Sequence, residues 1–419
     1  MILERKFKKF NGFKTDSYIT TNQLLTLLDV QEEFKDELIN LFKIDVDDLN
    51  VIPIGNAKSL IKSIVNLDSK CEKIDIDIEM KDLYLLKMLE AEKAIFEIFS
   101  IKDKQLIKKI QSDRLEVETR YSSKLELLDY YDLNKFANYC RDRRYFDLIE
   151  QIKDYLRVKN SNNRDKKKLR LIYNNSDRKY YLRALTSTNG YKNFGINFSV
   201  FIALKALGEY VENTKNEISI SYFSVDDSKL YVTFALSNKI QVKKDLDLMF
   251  ELILENDEIK RNAVSFNGMF KLIYSNGEKE SELFIKPRGV KKDKVNHPID
   301  LLTYQHRGNV GNVFEKIKEL PKLIDFFIEQ VSKDAKKIAK INSPDEVRKF
   351  ISGKIKYSKK EEFKKYRDKV FNKLMNISTN NTFKLFELLR NVEDLFEHDD
   401  IIARDYWRTK LYESLIERK

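Results

Sequence analysis

The spacing of apolar residues changes twice along this chain, and this change constrains the fold more than any single motif. Between Lys166 and Pro287 apolar and polar residues alternate, which is typical of half-buried strands. On both sides of that stretch, apolar residues return every three or four positions, which is typical of amphipathic helices. The sequence therefore predicts an α+β protein in which a central antiparallel β module is flanked by N- and C-terminal helical regions.

Turn residues divide the β module into hairpins. The pair Asn276-Gly277 lies between alternating runs and indicates a hairpin, because both residues tolerate positive φ. The apolar spacing of NFSVFIALKALGEYVE predicts one helix over residues 197–212. We place the whole module at residues 161–296. Its predicted hairpins span residues 168–185, 218–236 and 262–285.

The two flanking regions read as mainly helical. In the N-terminal region, residues 1–160, LYLLKMLEAEKAIFEIF (83–99) predicts a helix, whereas KIDIDIEM (73–80) alternates and predicts a short strand. In the C-terminal region, residues 297–419, Ser343-Pro344 marks a helix start. The C-terminal apolar stripes are Ile324, Phe327, Val331, Ala335 and Ile338, and then Leu385, Leu389, Val392 and Phe396.

The bulk composition indicates a folded, basic protein. The chain has 419 residues, of which 42% are apolar, and this is enough for well-packed cores. It carries 78 Lys and Arg against 67 Asp and Glu, a formal net charge of +11. An excess of positive charge favours phosphate-rich partners.

Cysteine usage and hydropathy indicate the compartment. Cys71 and Cys140 lie far apart, so neither a disulfide framework nor a cysteine zinc site is expected. The N-terminal MILERKFKKFNGFK lacks the apolar block of a signal peptide. No run reaches the roughly 18 apolar residues of a transmembrane helix. We therefore expect a cytoplasmic protein without membrane contact.

Positive charge is concentrated in the first hairpin. Between Arg157 and Arg183 ten basic residues face two acidic ones, a net charge of +8, and tyrosines are interleaved among them. Lys and Arg neutralise phosphates while tyrosine rings stack on bases, so the hairpin is predicted to bind nucleic acid, with single strands favoured. The candidate contacts are Arg164, Lys166, Lys167, Lys168, Arg170, Tyr173, Arg178, Lys179, Tyr181 and Arg183.

Two later segments combine glycine with positive charge. KPRGVKKDK (286–294) is predicted to extend the binding surface. QHRGNVGN (305–312) either holds a phosphate at a helix N-terminus through Arg307 or turns the chain from sheet to helix with His306 bonding locally. The turn is the favoured interpretation. The secondary phosphate contacts predicted from both segments are Arg288, Lys291, Lys292 and Arg307.

Acidic clusters are the candidate positions for metal chemistry in this sequence. Asp75, Asp77 and Glu79 lie on one face of the predicted strand, followed by Lys81, as in some metal-dependent nucleases; an exposed acidic strand face is favoured. The acids of EHDD (397–400) are interpreted as helix caps. With three histidines and no nucleophile motif, no catalytic residue, metal or cofactor is predicted.

Several segments together resemble a known family. RKYYLRALTST is followed by a predicted helix and paired strands, then by NAVSFNGMFKLIYSNG and HRGNVGNVFEKI. NTFKLFELLRNVEDLFEHDD precedes a last helix. Over residues 178–317 and the C-terminal helices, this order resembles the phage/plasmid-like proteins of unknown function. The resemblance implies an origin on a mobile element and an association with DNA transactions, and it supplies no catalytic residues.

Three functions remain open from the sequence. The favoured one is a non-enzymatic nucleic-acid-binding protein of a phage or plasmid, contacting single-stranded DNA or RNA through the basic hairpin. The alternative is a structural or cargo protein of a phage particle, whose partners would be copies of itself or other particle proteins. The third is a metal-dependent nuclease built on the acidic strand.

Overall fold

The chain folds as an α+β protein, as predicted, with 45% helix and 29% strand. A computed structural model describes residues 5–30, 32–45, 50–90, 93–188, 192–259, 264–287, 300–306, 308–397 and 400–416. The strands are β1 (Lys6–Lys9), β2 (Ile19–Thr20), β3 (Val51–Ile52), β4 (Ile54–Gly55), β5 (Cys71–Glu79), β6 (Leu83–Met88), β7 (Ala94–Ile98), β8 (Leu115–Thr119), β9 (Lys166–Asn174), β10 (Lys179–Ser187), β11 (Ile218–Val225), β12 (Lys229–Lys243), β13 (Leu246–Asp257), β14 (Val264–Ser275), β15 (Glu280–Ile285) and β16 (Asp300–Tyr304).

The helices lie mainly at the two ends of the chain. They are α1 (Thr21–Leu25), α2 (Glu32–Leu41), α3 (Ala57–Asp68), α4 (Lys104–Ile110), α5 (Ser123–Asp129), α6 (Asn134–Asp142), α7 (Phe146–Asn160), α8 (Ile196–Thr214), α9 (Val310–Lys318), α10 (Leu320–Ala339), α11 (Pro344–Lys356), α12 (Glu361–Met375), α13 (Thr382–Glu393) and α14 (Ile401–Leu415). Among these described helices, none has the length and apolar character that crossing a bilayer requires.

The larger sheet contains eight described strands. Its main path is β1-β11-β12-β13-β14-β15, and all of these neighbours are antiparallel. In addition, β16 pairs with β14 in the antiparallel sense, and β4 pairs with β11 in the parallel sense. The hairpin turns fall where turn chemistry places them. Asp226 accepts hydrogen bonds from the amides of Ser228 and Lys229, and Gly277 has a φ of +90°. The hairpins predicted over 218–236 and 262–285 are thereby confirmed.

One face of the larger sheet packs against α8 and α10. Most side chains of α8 are buried, which explains why that helix is apolar on nearly all sides. From α10, the Phe327 ring lies between Phe250 and Phe270 of adjacent strands, at centroid distances of 5.5 and 5.4 Å. Gly268 on β14 lies directly under the Phe327 ring, where a side chain would not fit. This close approach fixes how α10 sits on the sheet.

The smaller sheet contains six described strands in the order β5-β9-β10-β8-β7-β6. The hairpin of β9 and β10 was expected to belong to the central β module at 161–296, and this assignment needs correction. It pairs instead with β5 on one side and β8 on the other. The reason is that residues before 160 supply four strands whose edges complete this separate sheet.

The described residues between 83 and 99 form two strands instead of the predicted helix. Leu83–Met88 and Ala94–Ile98 are antiparallel partners, and the second of these strands also pairs with Leu115–Thr119. Over runs this short, the apolar residues of the segment fit both the three- to four-residue spacing of a helix and the two-residue alternation of a strand. Pairing with a distant strand decides between them, because strand stability depends on neighbours more than on propensity.

The C-terminal region is helical, apart from β16, which the sequence did not indicate. Gly308, with a φ of +95°, and Asn309, whose side chain accepts from the amide of Asn312 at 2.8 Å, begin α9. Gly308 and Asn309 thus begin the helix that follows β16, in agreement with the favoured interpretation of this segment as a turn. The buried stripes include Ile324, Phe327, Val331 and Ile338 on α10, and Leu385, Leu389 and Val392 on α13, followed by Phe396.

The contact between Gly268 and Phe327 predicts a steric effect on stability. A Cβ in the Gly268→Ala variant would collide with the phenyl ring, so we expect the free energy of unfolding to fall by about 1–3 kcal/mol. Gly353→Ala, on α11 with no atom within 4 Å of the added Cβ, is the matched control and should gain up to about 1 kcal/mol. Urea denaturation of both variants measures the difference, and equal effects would contradict the packing described.

Candidate nucleic-acid interface

The acidic strand β5 lies beside the basic strand β9 with their charges in register. Asp75 lies opposite Arg170, Asp77 opposite Lys168, and Glu79 opposite Lys166. Asp75 accepts from the Arg170 guanidinium at 3.2 Å, and the Lys168 ammonium lies 3.9 Å from Asp77. The acids proposed for a nuclease therefore neutralise part of the basic surface proposed for nucleic acid.

The third acid of that group has a different partner. Lys81 pairs with Glu79 at 2.6 Å, and its hydrogen bond holds the pKa of Glu79 below the usual value. Within the described ranges, no group of three or more His, Cys, Asp or Glu side chains is arranged to hold a metal ion.

Arg183 and Glu258 form a fully buried ion pair at 2.9 Å. The Glu258 carboxylate also accepts from the Lys73 ammonium at 2.8 Å and from the backbone amide of Ile196 at 2.9 Å. Burial alone would raise the pKa of Glu258, but Lys73, Arg183 and Arg170 outweigh it and hold the pKa well below its ordinary range. The site is a structural charge cluster between the two sheets.

Two predicted phosphate contacts, Arg170 and Arg183, have no solvent exposure. Arg170 donates to the Asn193 side chain at 2.6 Å and to the carbonyl oxygen of Glu258. Arg183 donates to the carbonyl oxygen of Asp227 at 3.0 Å. These arginines connect the smaller sheet to the larger one, so they do not face a polyanion in solution.

The tyrosines of the hairpin are also engaged. Tyr181 is buried, with its hydroxyl on Asp177 at 2.7 Å and the Arg120 guanidinium 3.6 Å above its ring. Tyr173 packs against Tyr180 at 4.7 Å and has the Lys109 ammonium over its ring. Neither ring offers an open face of the kind that stacking on a base requires.

The remaining hairpin cations lie at opposite ends of the strands. Lys167 is half-buried with its ammonium 5.3 Å from the Tyr130 ring centroid. Arg164 and Lys166 are exposed at one end of β9, whereas Arg178 and Lys179 are exposed at the turn, about 26 Å away at strand rise. They form no continuous track. Outside the described residues lie Arg288, Lys291, Lys292 and Arg307, so their predicted contacts stay predictions.

A second basic region, for which no contact was predicted, lies in the C-terminal helices. Residues 333–373 contain 15 Lys and Arg against 6 Asp and Glu, a net charge of +9. These charges are spread over three helices and their connections, so they do not form a conspicuous run. A count over a 40-residue window would have found them.

The turn between α11 and α12 presents lysines and an aromatic ring to solvent. Tyr357 is 76% exposed, and the Lys356 ammonium lies 5.8 Å from its ring centroid. Lys359 follows in the same turn. Phe350, 44% exposed, lies on α11 seven residues before Tyr357, which directly follows that helix, so the two rings lie toward the same side. We call Phe350, Lys356, Tyr357 and Lys359 the helix-turn patch.

The charges of the helix-turn patch are largely uncompensated. Among the residues that the structure describes, no carboxylate forms an ion pair with Lys356 or Lys359. By contrast, the neighbouring Lys364 pairs with Glu361 at 3.5 Å, and Lys365 pairs with Asp400 at 3.0 Å. The Asp400 side chain also accepts from the amide of Ala403, so this acid of the EHDD segment caps α14 as expected. His398 and Asp399 lie outside the described residues.

The buried ion pair predicts a large effect of removing one partner. Arg183→Met leaves Glu258 in the interior with less compensating charge, so we expect the free energy of unfolding to fall by about 3 kcal/mol or more. Lys179→Met, an exposed position on the same strand, should change it by less than about 0.5 kcal/mol. Chemical denaturation of the two variants tests this, and similar losses would show that the pair is not structural.

His306 predicts a pH dependence of stability. Burial, with the positive charge of Arg170, lowers the pKa of His306 to about 4. The folded state thus favours the neutral imidazole of His306. The contribution of this side chain to the free energy of unfolding is therefore complete above the ordinary pKa of about 6.5 and is lost as the pH falls toward 4. In His306→Phe, which keeps a ring beside Phe194, the loss between pH 6.5 and 4 should be about 3 kcal/mol smaller. Chemical denaturation at each pH measures this, and the same pH dependence of the free energy of unfolding in both proteins would contradict the prediction.

Comparison with known proteins supplies no relative for this chain. No protein-family model matches the chain, and no curated protein or solved structure matches it significantly. The resemblance to phage/plasmid-like proteins stays a prediction from the residues that carry it.

Proposed function

We propose that this is a non-enzymatic nucleic-acid-binding protein that contacts single-stranded DNA or RNA through the helix-turn patch. The observation that carries the proposal is the highly exposed ring of Tyr357 next to lysines that have no carboxylate partner in the described structure. The basic hairpin, favoured from the sequence, has much of its charge neutralised by β5 and Glu258. The proposal therefore keeps the predicted function but assigns it to the helix-turn patch in place of the basic hairpin.

Uncompensated lysines favour phosphate binding for a thermodynamic reason. A lysine that already pairs with a carboxylate must give up that contact before it binds a phosphate. Lys356 and Lys359 have no such contact to lose among the described residues. Each phosphate that they neutralise releases condensed counterions, which drives association at low salt.

The exposed rings favour single strands over duplex. Tyr357 and Phe350 lie about 10 Å apart along α11, given two helical turns between them. The Lys354 ammonium lies 4.7 Å from the Phe350 ring centroid and 3.7 Å from the Glu413 carboxylate, so Lys354 is not one of the uncompensated lysines and Tyr357 is the principal stacking ring. Bases can stack on such rings only when they are unpaired, and one stacked base contributes about 1–3 kcal/mol.

Charge reversal at the patch tests the proposal. We expect Lys356→Glu with Lys359→Glu to weaken binding of a single-stranded oligonucleotide at least tenfold at low salt. The negative slope of log affinity against log salt should also become shallower by about 1.4, since each phosphate contact contributes ~0.7 to its magnitude on a single strand. The control, Lys166→Glu with Lys179→Glu on the hairpin, carries the same change in charge and should retain most of the affinity. Fluorescence anisotropy measures both variants.

The role of the ring is separated from charge by a second ligand. Tyr357→Ala should reduce affinity for the oligonucleotide while leaving affinity for inorganic polyphosphate, which has no bases, unchanged. Absence of oligonucleotide binding by the unmodified protein at low salt would overturn the proposed function. A greater loss from the hairpin variant than from the patch variant would return the surface to β9 and β10.

A further inference from the structure

A cavity of about 350 Å³ lies on the face of the larger sheet that points away from α8 and α10. Side chains of β11 to β15 form its floor. The segment from Lys9 to Phe13 borders it on one side, and residues between Glu393 and Arg408 border it on the other. Its volume falls in the range of small-molecule sites.

A buried carboxylate, Glu251, lines this cavity and is only 1% exposed. One of its oxygens, Oε2, accepts from the Ser221 hydroxyl at 3.3 Å. The other, Oε1, has no hydrogen-bond partner among the described residues, and neither has the buried hydroxyl of Tyr231 beside it in the lining. Buried polar atoms without partners are costly, so these two indicate a ligand that supplies hydrogen-bond donors.

The other buried charges of the cavity are already paired. Lys271 contacts Glu282 at 3.0 Å, and the Arg408 guanidinium contacts Glu393. Glu251 forms no ion pair in the described structure. Because a buried charge is stabilised by a counter-charge, the Glu251 carboxylate is suited to a cationic ligand.

The cavity walls suit the apolar body of such a cation. Tyr222, Tyr231, Phe284 and Phe13 supply aromatic surface, and Met249 and Met269 supply adaptable thioethers. Aromatic faces attract ammonium groups as well as apolar groups. The lining thus combines one uncompensated carboxylate with walls that accept alkyl or aryl groups.

We propose that this cavity binds a small organic ammonium ion, with its charged head on Glu251 Oε1 and the Tyr231 hydroxyl and its apolar body against the aromatic walls. This site is separate from the helix-turn patch, and the proposal does not depend on nucleic-acid binding.

Protonation of Glu251 links binding to pH. The charged or titratable groups that face it are Lys271 on β14, Arg408 on α14, Glu282 on β15 and Tyr231 on β12. Burial raises the pKa of Glu251 to about 6, while Lys271 and Arg408 act in the opposite direction. The carboxylate is charged at pH 7 and mostly neutral at pH 5, so affinity for a cation should fall about tenfold between these values.

The test compares two probes of nearly the same shape with the full-length protein. Calorimetric titration at pH 7 should give phenethylamine at least tenfold higher affinity than 2-phenylethanol, which lacks the positive charge. Glu251→Gln, which keeps the shape of the side chain, should remove both this preference and the pH dependence. Circular dichroism confirms that the variant is folded.

Ser221→Ala provides an independent test of the same site if Glu251→Gln does not fold. Ser221→Ala removes the donor to Oε2, so binding should persist while the pH midpoint of phenethylamine binding moves upward. Equal affinity for the amine and the alcohol, binding of neither, or an unmoved midpoint in Ser221→Ala would each overturn the proposal. None of these outcomes bears on the oligonucleotide experiments.

Discussion

The Glu258 carboxylate is the contact on which the joining of the two sheets depends. It follows the last residue of β13, yet it accepts from Lys73 and Arg183 of the smaller sheet and from the amide of Ile196 at the start of α8. A carboxylate in the interior is stable only where cations and amides surround it, and the N-terminus of a helix adds a favourable dipole. One side chain thereby links the two sheets to each other and to the start of α8.

The same principle of local neutralisation explains where the protein keeps free positive charge. Acids at alternate positions of β5 meet bases at alternate positions of β9, and a shift of one residue would move every acid to the opposite face. These charges therefore specify strand register. The lysines of the turn at Lys356 and Lys359 have no complementary strand beside them, and they remain available to solvent. Local charge density in the sequence does not distinguish these two uses.

The predictable parts of the fold are those set by neighbouring residues. The turns at Asp226 and Gly277 follow from turn chemistry, and α8 follows from a long apolar period. The strand Ala94–Ile98 was not predicted, because it pairs with Leu115–Thr119, a partner that local apolar spacing does not reveal. The basic hairpin could not be judged from its own sequence for the same reason, because Glu258, which neutralises Arg183, is 75 positions away. A sequence signal for the patch did exist: Phe350 and Tyr357 lie outside the buried stripe of Val347, Ile351 and Ile355.

The edge of β14 is shared by two short strands, with consequences for the basic segment between them. Phe270 pairs with Ile285 of β15, and Asn267 pairs with Asp300 of β16, three positions along the same edge. Both ends of the intervening segment are therefore held about 10 Å apart by the sheet. The β14 ladder therefore holds Ile285 and Asp300 close together, whatever the sequence of the residues that connect them.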